Sequence, residues 1–266
     1  MKLVMLGTGN AAVTACYNTC FVLTEGGKYF LVDGGGGNGV LRQLKGAGID
    51  WKQIGDIFVT HKHIDHLMGI IWMLRMILQN MDRNNYEGQV RLYAHQELIA
   101  LLKTQAELLL TKKETRFIGE GLLLIPLANG ESHEIIGHET AFFDIESNKA
   151  KQFGFCMRLN GQERLCCCGD EPYKPCEEKY AKGSKWMMHE AFCLRAQADI
   201  FKPYEKDHST VVDACACAEE LGVENLILYH TEDKNIAQRK ELYTREGSPF
   251  FHGKLYVPED LETIEL

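Results

Sequence analysis

Three histidines and one aspartate lie within the six positions from His61 to His66, directly after the apolar run 57–59. On an extended backbone alternate side chains share a face, so His61 and His63 can reach one point in space. The following residues have the apolar spacing of a helix, and the turn into it directs Asp65 and His66 to a second point. Imidazole and carboxylate ligands suit zinc, and also iron or manganese. The run therefore predicts a strand-to-helix junction that can hold a pair of metal ions.

The composition is that of an ordinary globular chain, with 45% hydrophobic and 25% charged residues. The 266 residues suffice for one large α/β domain or two small ones. The formal net charge of −8 disfavours long-range attraction of polyanions such as RNA, but it does not argue against a small substrate. No apolar stretch has the length of a signal peptide or a transmembrane helix. We therefore expect a cytoplasmic protein that does not enter a membrane.

The ten cysteines are expected to be free thiols, most of them small core residues, because the chain lacks an export signal. Their spacing, as in the run Cys166-Cys167-Cys168, does not give the paired Cys-x-x-Cys clusters of a structural zinc site. Structural zinc sites are closed and rich in cysteine, so a purely structural metal is not expected.

β-rich runs and glycine turns alternate with helical periods along the whole chain. Strands are predicted at 2–6, 19–23, 29–32, 57–60, 121–126, 140–146, 153–159, 163–168, 185–189 and 225–229. Helices are predicted at 67–80, 95–113, 211–221 and 236–246, with Ser209 or Thr210 as the N-cap of the third. No linker separates the two halves. We therefore expect one α/β domain, residues 1–266, in which two sheets face each other under outer helices.

Further candidate ligands follow predicted strands, where ligand sites of such folds gather. Asp170 follows a buried strand, and the glycine before it allows close approach of the backbone. His230 follows another strand. Each signal is weak alone, because Gly-Asp is a common turn and a lone histidine is more often structural. The glycine run 34–37 lacks the Lys-Ser/Thr of a P-loop, so it does not predict a phosphate cradle.

The order of these motifs resembles the metallo-β-lactamase fold superfamily and, more narrowly, its ribonuclease Z branch, the tRNA 3′-processing endonucleases. The resemblance also covers Met5-Leu6-Gly7-Thr8-Gly9, the segment from Asp33 to Leu44, His189-Glu190-Ala191-Phe192 and His208-Ser209-Thr210. The first histidine run is specific to the superfamily, whereas the last two motifs point to the branch. This resemblance implies a four-layer αβ/βα sandwich with two facing mixed sheets and outer helices.

The same resemblance assigns the ligands of two divalent ions, with zinc expected first and manganese or iron as alternatives. It implies that the first ion is bound by His61 and His63 and the second by Asp65, His66 and His230, with Asp170 bridging both. Asp65 would also orient or deprotonate the attacking water, and His208 would donate a proton near the leaving group. His189 and Glu190 are expected to support the loop around the site more than to take part in the chemistry.

One departure from the family pattern concerns the first metal site. Glu146 stands where the family has a histidine ligand. A carboxylate can bind a divalent ion, so this site either survives with a harder ligand set or is weakened and loses its metal. His133 and His138 lie in the predicted preceding loop and would replace the missing histidine only after a rearrangement.

A second departure concerns length. Bacterial tRNA-processing members insert a long arm that grips the tRNA elbow before the bridging aspartate. Here only residues 147–169 are available, and two predicted strands use most of them. We therefore do not expect structured tRNA as a substrate, although the catalytic motifs are intact.

These features predict a metal-dependent hydrolase, and first of all a phosphodiesterase that acts on a small or short phosphodiester. Two cations that share a water lower its pKa towards neutrality, which yields a hydroxide nucleophile. A thioester or lactam hydrolase of the same fold is the near alternative. The change at Glu146 also permits a metal-binding sensor or interaction protein without turnover. Relatives often form dimers, so the resemblance allows a homodimer by analogy only.

Overall fold

The computed structural model describes residues 1–266, which divide into two compact units. The first unit comprises Met1–Gly7, Thr19–Ala128 and Leu261–Leu266, and the second comprises Thr8–Asn18 and Asn129–Asp260. Each unit contains one seven-stranded sheet. The interpretation of the whole chain as a single hydrolase domain stays a prediction.

The elements have the following bounds. The strands are β1 Lys2–Gly7, β2 Cys20–Glu25, β3 Lys28–Val32, β4 Ile54–Phe58, β5 Val90–His95, β6 Leu122–Leu127, β7 Ser132–Ile135, β8 His138–Asp144, β9 Phe153–Arg158, β10 Arg164–Cys167, β11 Trp186–Glu190, β12 Asn225–Tyr229, β13 Lys254–Tyr256 and β14 Thr263–Glu265. The α-helices are α1 Gly39–Gly46, α2 Ile64–Asp82, α3 Gln96–Leu109, α4 Lys112–Thr115, α5 Glu178–Ala181, α6 Ala198–Phe201, α7 Val211–Glu220 and α8 Arg239–Gly247. None of these helices is long and apolar enough to span a bilayer.

Both sheets are mixed. The first has the order β14-β1-β2-β3-β4-β5-β6, in which the three pairings from β14 to β3 are antiparallel and the three from β3 to β6 are parallel. The second has the order β13-β12-β11-β10-β9-β8-β7, with parallel pairings from β13 to β10 and antiparallel ones from β10 to β7. Each sheet thus has a parallel half whose carboxyl ends share one edge.

These parallel halves position the candidate ligands. Their strands are apolar and buried on both faces, as in β4 and β12, because helices or loops cover parallel strands. In the first unit Asp33 directly follows β3, and the histidine run follows β4 two residues after its end. In the second unit Asp170 follows β10, Glu190 ends β11 and His230 follows β12. In each unit the polar side chains therefore gather at one edge of the sheet.

Most predicted elements are present, with shifted ends and several omissions. The helix predicted at 95–113 is two helices, because the backbone is extended at Leu110 and a capping box between Thr111 and Glu114 starts α4. The structure also contains elements that the sequence did not predict, namely β5, β7, β13, β14, α1, α5 and α6. The N-cap of α7 is Thr210, whose hydroxyl accepts from the Asp213 backbone N–H at 3.4 Å.

The segment in which bacterial tRNA-processing members insert their arm is compact in this chain. Residues 147–169 form a short loop and the β9–β10 hairpin, whose turn is closed by hydrogen bonds from Leu159 N to the Glu163 carbonyl and from Glu163 N to the Asn160 carbonyl, both at 2.8 Å. This segment leaves no residues for a protruding arm. All ten cysteines are free and seven of them are buried, which agrees with their prediction as core thiols.

Candidate metal centre

The first-unit cluster consists of His61, His63, Asp65 and His66. The backbone stays extended through His63, which is the N-cap of α2, and turns helical at Ile64. Three of the four side chains are buried, whereas His63 is partly exposed. The predicted strand-to-helix junction is thus present, and it presents the two pairs of ligands on consecutive stretches of backbone.

Hydrogen bonds fix which nitrogen of His61 can bind a metal. The Thr60 hydroxyl donates its only proton to Asp33 Oδ2 at 2.8 Å, so towards His61 Nδ1, 2.9 Å away, it can act only as an acceptor. His61 therefore carries its proton on Nδ1, and Nε2 has a lone pair. This Nε2 lies 2.8 Å from His63 Nδ1.

The distance between these nitrogens suits one shared ion after a small adjustment. A tetrahedral zinc with ordinary Zn–N bonds separates two ligand nitrogens by about 3.3 Å. The pair at 2.8 Å therefore needs to open by roughly half an ångström on binding. His63 is partly exposed. The donor chemistry and the spacing of this pair fit a divalent cation.

Asp33 orients His66 in the same way. Its Oδ2 accepts from His66 Nδ1 at 2.7 Å, so Nε2 is the lone-pair nitrogen of the neutral ring, and this Nε2 lies 3.4 Å from Asp65 Oδ2. The other Asp33 oxygen accepts the Thr60 backbone N–H at 2.8 Å. A buried carboxylate that orients two histidines is a recurrent partner of metal ligands. The sequence reading placed Asp33 only within a resembling segment and gave it no role.

The second-unit cluster consists of Asp170, Glu190, His208 and His230. His230 Nε2 lies 3.5 Å from Asp170 Oδ2, and the rings of His208 and His230 are 5.2 Å apart. Glu190, His208 and His230 each offer one ligand atom, and these atoms lie within 4.8 Å of one another. All four residues are buried. Two of the predicted metal ligands and the predicted proton donor are therefore brought together in this unit.

The His208 ring is held on three sides. Phe192 stacks on it at 4.7 Å, Glu190 Oε2 lies 3.6 Å from Nδ1, and Lys149 Nζ lies 3.4 Å from Nε2. An ammonium group can only donate, so Nε2 is the acceptor and Nδ1 carries the proton towards Glu190. Burial first, and then the Lys149 charge, lower the pKa of His208 to about 4. The imidazole is therefore neutral near neutral pH in this arrangement.

The roles of His189 and Glu190 differ. His189 uses both ring nitrogens within the protein, because Nδ1 donates to the Glu190 carbonyl at 2.6 Å and Nε2 accepts the Tyr173 N–H at 3.2 Å. Glu190 is fully buried, accepts the Ser209 backbone N–H and has its pKa raised to about 7 by burial. His189 thus supports the loop around the site, as expected, whereas Glu190 lies against His208.

Glu146 is placed differently from its prediction as a metal ligand. Its side chain is exposed, its backbone is in the left-handed region with φ 55°, and its carbonyl accepts from Lys174 Nζ at 2.6 Å. It belongs to none of the groups whose ligand atoms lie close enough to share an ion. The left-handed turn directs the side chain to solvent, which the motif comparison could not anticipate.

The two alternative histidines are also engaged elsewhere. His133 lies in β7 and pairs with Glu131 at 2.9 Å, so it is not in the loop where the sequence placed it. His138 begins β8, and its Nδ1 contacts the Arg158 carbonyl at 2.9 Å. Neither residue belongs to a group that could share an ion.

Comparisons with known proteins agree with this fold and these motifs. Ribonuclease Z of Methanothermobacter thermautotrophicus is 25% identical over 315 aligned positions, which cover 100% of this chain and 97% of the relative. The metallo-β-lactamase fold protein YhfI from Bacillus subtilis superposes with a TM-score of 0.80 at 16% identity, covering 100% and 99% of the two chains. A diphosphatase of the PhnP family superposes with a TM-score of 0.74 at 16% identity, covering 100% and 96%.

These likenesses confirm the metallo-β-lactamase fold and the resemblance to the ribonuclease Z branch. The alignment with ribonuclease Z needs more positions than this chain has residues, so the relative carries segments that are missing here. A narrower family model, described as "Anti-Pycsar protein Apyc1", matches residues 1–244. The chain therefore belongs to the Apyc1 anti-Pycsar family of metallo-β-lactamase fold proteins.

Proposed function

We propose that the protein is a metal-dependent phosphodiesterase that hydrolyses a small phosphodiester. The observation that carries the proposal is the hydrogen-bonded fixing of His61 and His66 by Thr60 and Asp33, which leaves Nε2 of both rings as the metal-binding atom. Structural histidines do not need such orientation, whereas metal ligands regularly have it.

We propose that the protein binds two divalent ions, zinc first and manganese or iron as alternatives, through the ligands that the family resemblance assigns. The first ion would be held by His61, His63 and Asp170, and the second by Asp65, His66, Asp170 and His230. Glu146 is left out of this set because its side chain is exposed. Three protein ligands are the usual number in a catalytic zinc site, so the first ion does not require a replacement histidine.

Bound divalent ions lower the pKa of a coordinated water and neutralise charge on a phosphoryl group. Asp65, whose Oδ2 lies 3.4 Å from His66 Nε2, would hold a proton of the attacking water. On the second unit, Glu190 holds the Nδ1 side of His208, so the Nε2 side of that ring is directed to the substrate. Phe192 keeps water away from one face of the ring.

The preference for a small substrate rests on length and charge. The β9–β10 turn leaves no arm for a tRNA elbow, and the net charge of −8 gives no general attraction for a polyanion. A small phosphorylated substrate also agrees with the description of one structural neighbour as a diphosphatase. A thioester or lactam hydrolase is the nearer competing activity on this fold.

The proposal is tested with a panel of substrates on the zinc- or manganese-loaded protein. We expect kcat/KM for bis(p-nitrophenyl) phosphate to exceed that for a thioester and a β-lactam by about tenfold or more, with little cleavage of precursor tRNA. Faster thioester or lactam hydrolysis would favour the competing activity. No turnover together with one ion or none per chain, measured by mass spectrometry, would favour a metal-binding sensor.

The Asp33 interaction gives a separate prediction on metal affinity. Asp33→Asn removes the charge that stabilises the Nδ1–H of His66, so we expect zinc affinity to fall by about 10- to 100-fold. Competition with a chromogenic zinc chelator measures this change. Asp56→Asn is the control, because Asp56 is also buried in the first sheet but pairs with Arg91 at 2.7 Å. Equal zinc affinity in Asp33→Asn and the wild type would refute the orienting role.

A further inference from the structure

The loop that follows Glu146 is held by Glu171, the residue next to Asp170. Ser147 Oγ accepts the backbone N–H groups of Lys149 at 3.1 Å and Ala150 at 3.2 Å, while it donates to Glu171 Oε1 at 2.6 Å. Glu171 is only 2% exposed, and its other oxygen accepts from Lys174 Nζ at 3.2 Å. The loop conformation is therefore fixed by a buried carboxylate that directly follows a proposed bridging ligand.

This loop places the ammonium group of Lys149 beside His208 of the second-unit cluster. The Lys149 ammonium lies 3.4 Å from His208 Nε2, the ring atom that is directed away from Glu190. It forms no ion pair with any carboxylate, so its charge is not neutralised by the protein. An ammonium has three N–H donors, and His208 accepts only one of them. Two donors remain available to an anion.

The side chain can also move to such an anion without unfolding its loop. Lysine carries a compact charge on a flexible four-carbon stem, and the residue is exposed at the surface of the unit. The hydrogen bonds that fix the loop are made by the Lys149 backbone and the Ser147 side chain, not by the ammonium. An ammonium binds an anionic phosphoryl oxygen more strongly than a neutral imidazole, because both partners are then charged.

We propose that Lys149 is a substrate-binding residue whose ammonium contacts a phosphoryl oxygen of the anionic substrate beside His208. The inference rests on the proposed function and deepens it, because it names the charged group of the substrate that the second unit recognises. It also gives the segment after the unused Glu146 a function in this chain.

The test separates binding of the anion from turnover. Lys149→Met removes the charge and keeps the length of the stem, whereas Lys149→Arg keeps the charge. Lys151→Met is the matched control, because that ammonium lies over the Phe153 ring at 5.9 Å. We expect Lys149→Met to weaken binding of inorganic phosphate to the metal-loaded protein by about tenfold in titration calorimetry, as for loss of one charge-assisted hydrogen bond. Lys149→Arg should retain most of the affinity, and Lys151→Met all of it.

Kinetic measurements distinguish the role of Lys149 from the proposed phosphodiesterase function. With bis(p-nitrophenyl) phosphate, Lys149→Met should raise KM more than it lowers kcat, because the contact is made with the bound substrate. Unchanged phosphate affinity and KM in Lys149→Met would overturn the inference, even if the wild type is an active phosphodiesterase. A lowered kcat with unchanged phosphate affinity would show a structural effect on His208 and overturn it as well. Weakened phosphate binding in a protein without phosphodiesterase activity would support the contact while the proposed function fails.

Discussion

Replacing His63 with alanine is expected to lower kcat/KM for bis(p-nitrophenyl) phosphate by about 10³-fold or more. The substitution removes one of two imidazole nitrogens, 2.8 Å apart, that we propose to share the first ion. A catalytic metal contributes several kcal/mol of transition-state stabilisation, and each 1.4 kcal/mol corresponds to about tenfold in rate. His63 is partly exposed, so its truncation should leave the fold intact.

The experiment measures rate, metal content and thermal stability on the same protein samples. His63→Ala should lose about one ion per chain by mass spectrometry while its Tm stays close to that of the wild type. His252→Ala is the matched control, because it removes an exposed histidine that pairs with Glu219 at 2.9 Å. Full activity of His63→Ala would refute the proposed metal centre. Equal losses of kcat/KM in His63→Ala and His252→Ala would show that the assay responds to something other than the loss of a metal ligand.

The part of the site that the sequence predicted well is local. His61 to His66 lie within six residues, so the alternation of a strand and the start of a helix are enough to place them. Asp170 and His230 are far apart in sequence, and only the family resemblance predicted them as metal ligands. The parallel pairing of β10, β11 and β12 is what brings them to one edge, and periodicity in a single strand carries no information on that pairing.

The residues that sequence reasoning missed depend on contacts between elements. Asp33 acquires its role because β3 pairs in parallel with β4, which puts its carboxylate beside Thr60 and His66. Glu146 was misplaced because a single left-handed residue turns the side chain outward. Lys149 is an exposed lysine in a loop, and its position depends on a hydrogen bond between Ser147 and Glu171. No local pattern marks any of these three.

Gly69 of α2 gives the prediction with the largest expected effect on stability. A Cβ at this position would lie 1.7 Å from the carbonyl oxygen of Gly34, so the helix and the loop after β3 would have to separate. Two hydrogen bonds hold them together, from Gly34 N to the His66 carbonyl at 2.9 Å and from Gly69 N to the Gly35 carbonyl at 2.8 Å. We expect Gly69→Ala to lower the free energy of unfolding by about 3 kcal/mol or more.

The clash has a consequence for the metal centre as well. The loop that must move carries Asp33, and the helix carries His66, so separating them lengthens the 2.7 Å hydrogen bond that orients this ring. Zinc affinity should therefore fall together with stability in Gly69→Ala. Urea denaturation measures the first effect in the metal-free protein, and chelator competition measures the second in the folded fraction. A loss of stability from poor helix propensity is not expected, since alanine is the better helix former.

Gly37→Ala, in the glycine run 34–37 that faces α2 through Gly34, is the control. A Cβ there meets no atom within 4 Å, so we expect a change within about 0.5 kcal/mol of the wild type and unaltered zinc affinity. The sequence does not predict which of these two glycines is needed, whereas the packing of α2 on the loop after β3 assigns the close approach to Gly69. If Gly69→Ala is as stable as Gly37→Ala, that close approach is wrong, and with it the packing of α2 against the loop that carries Asp33.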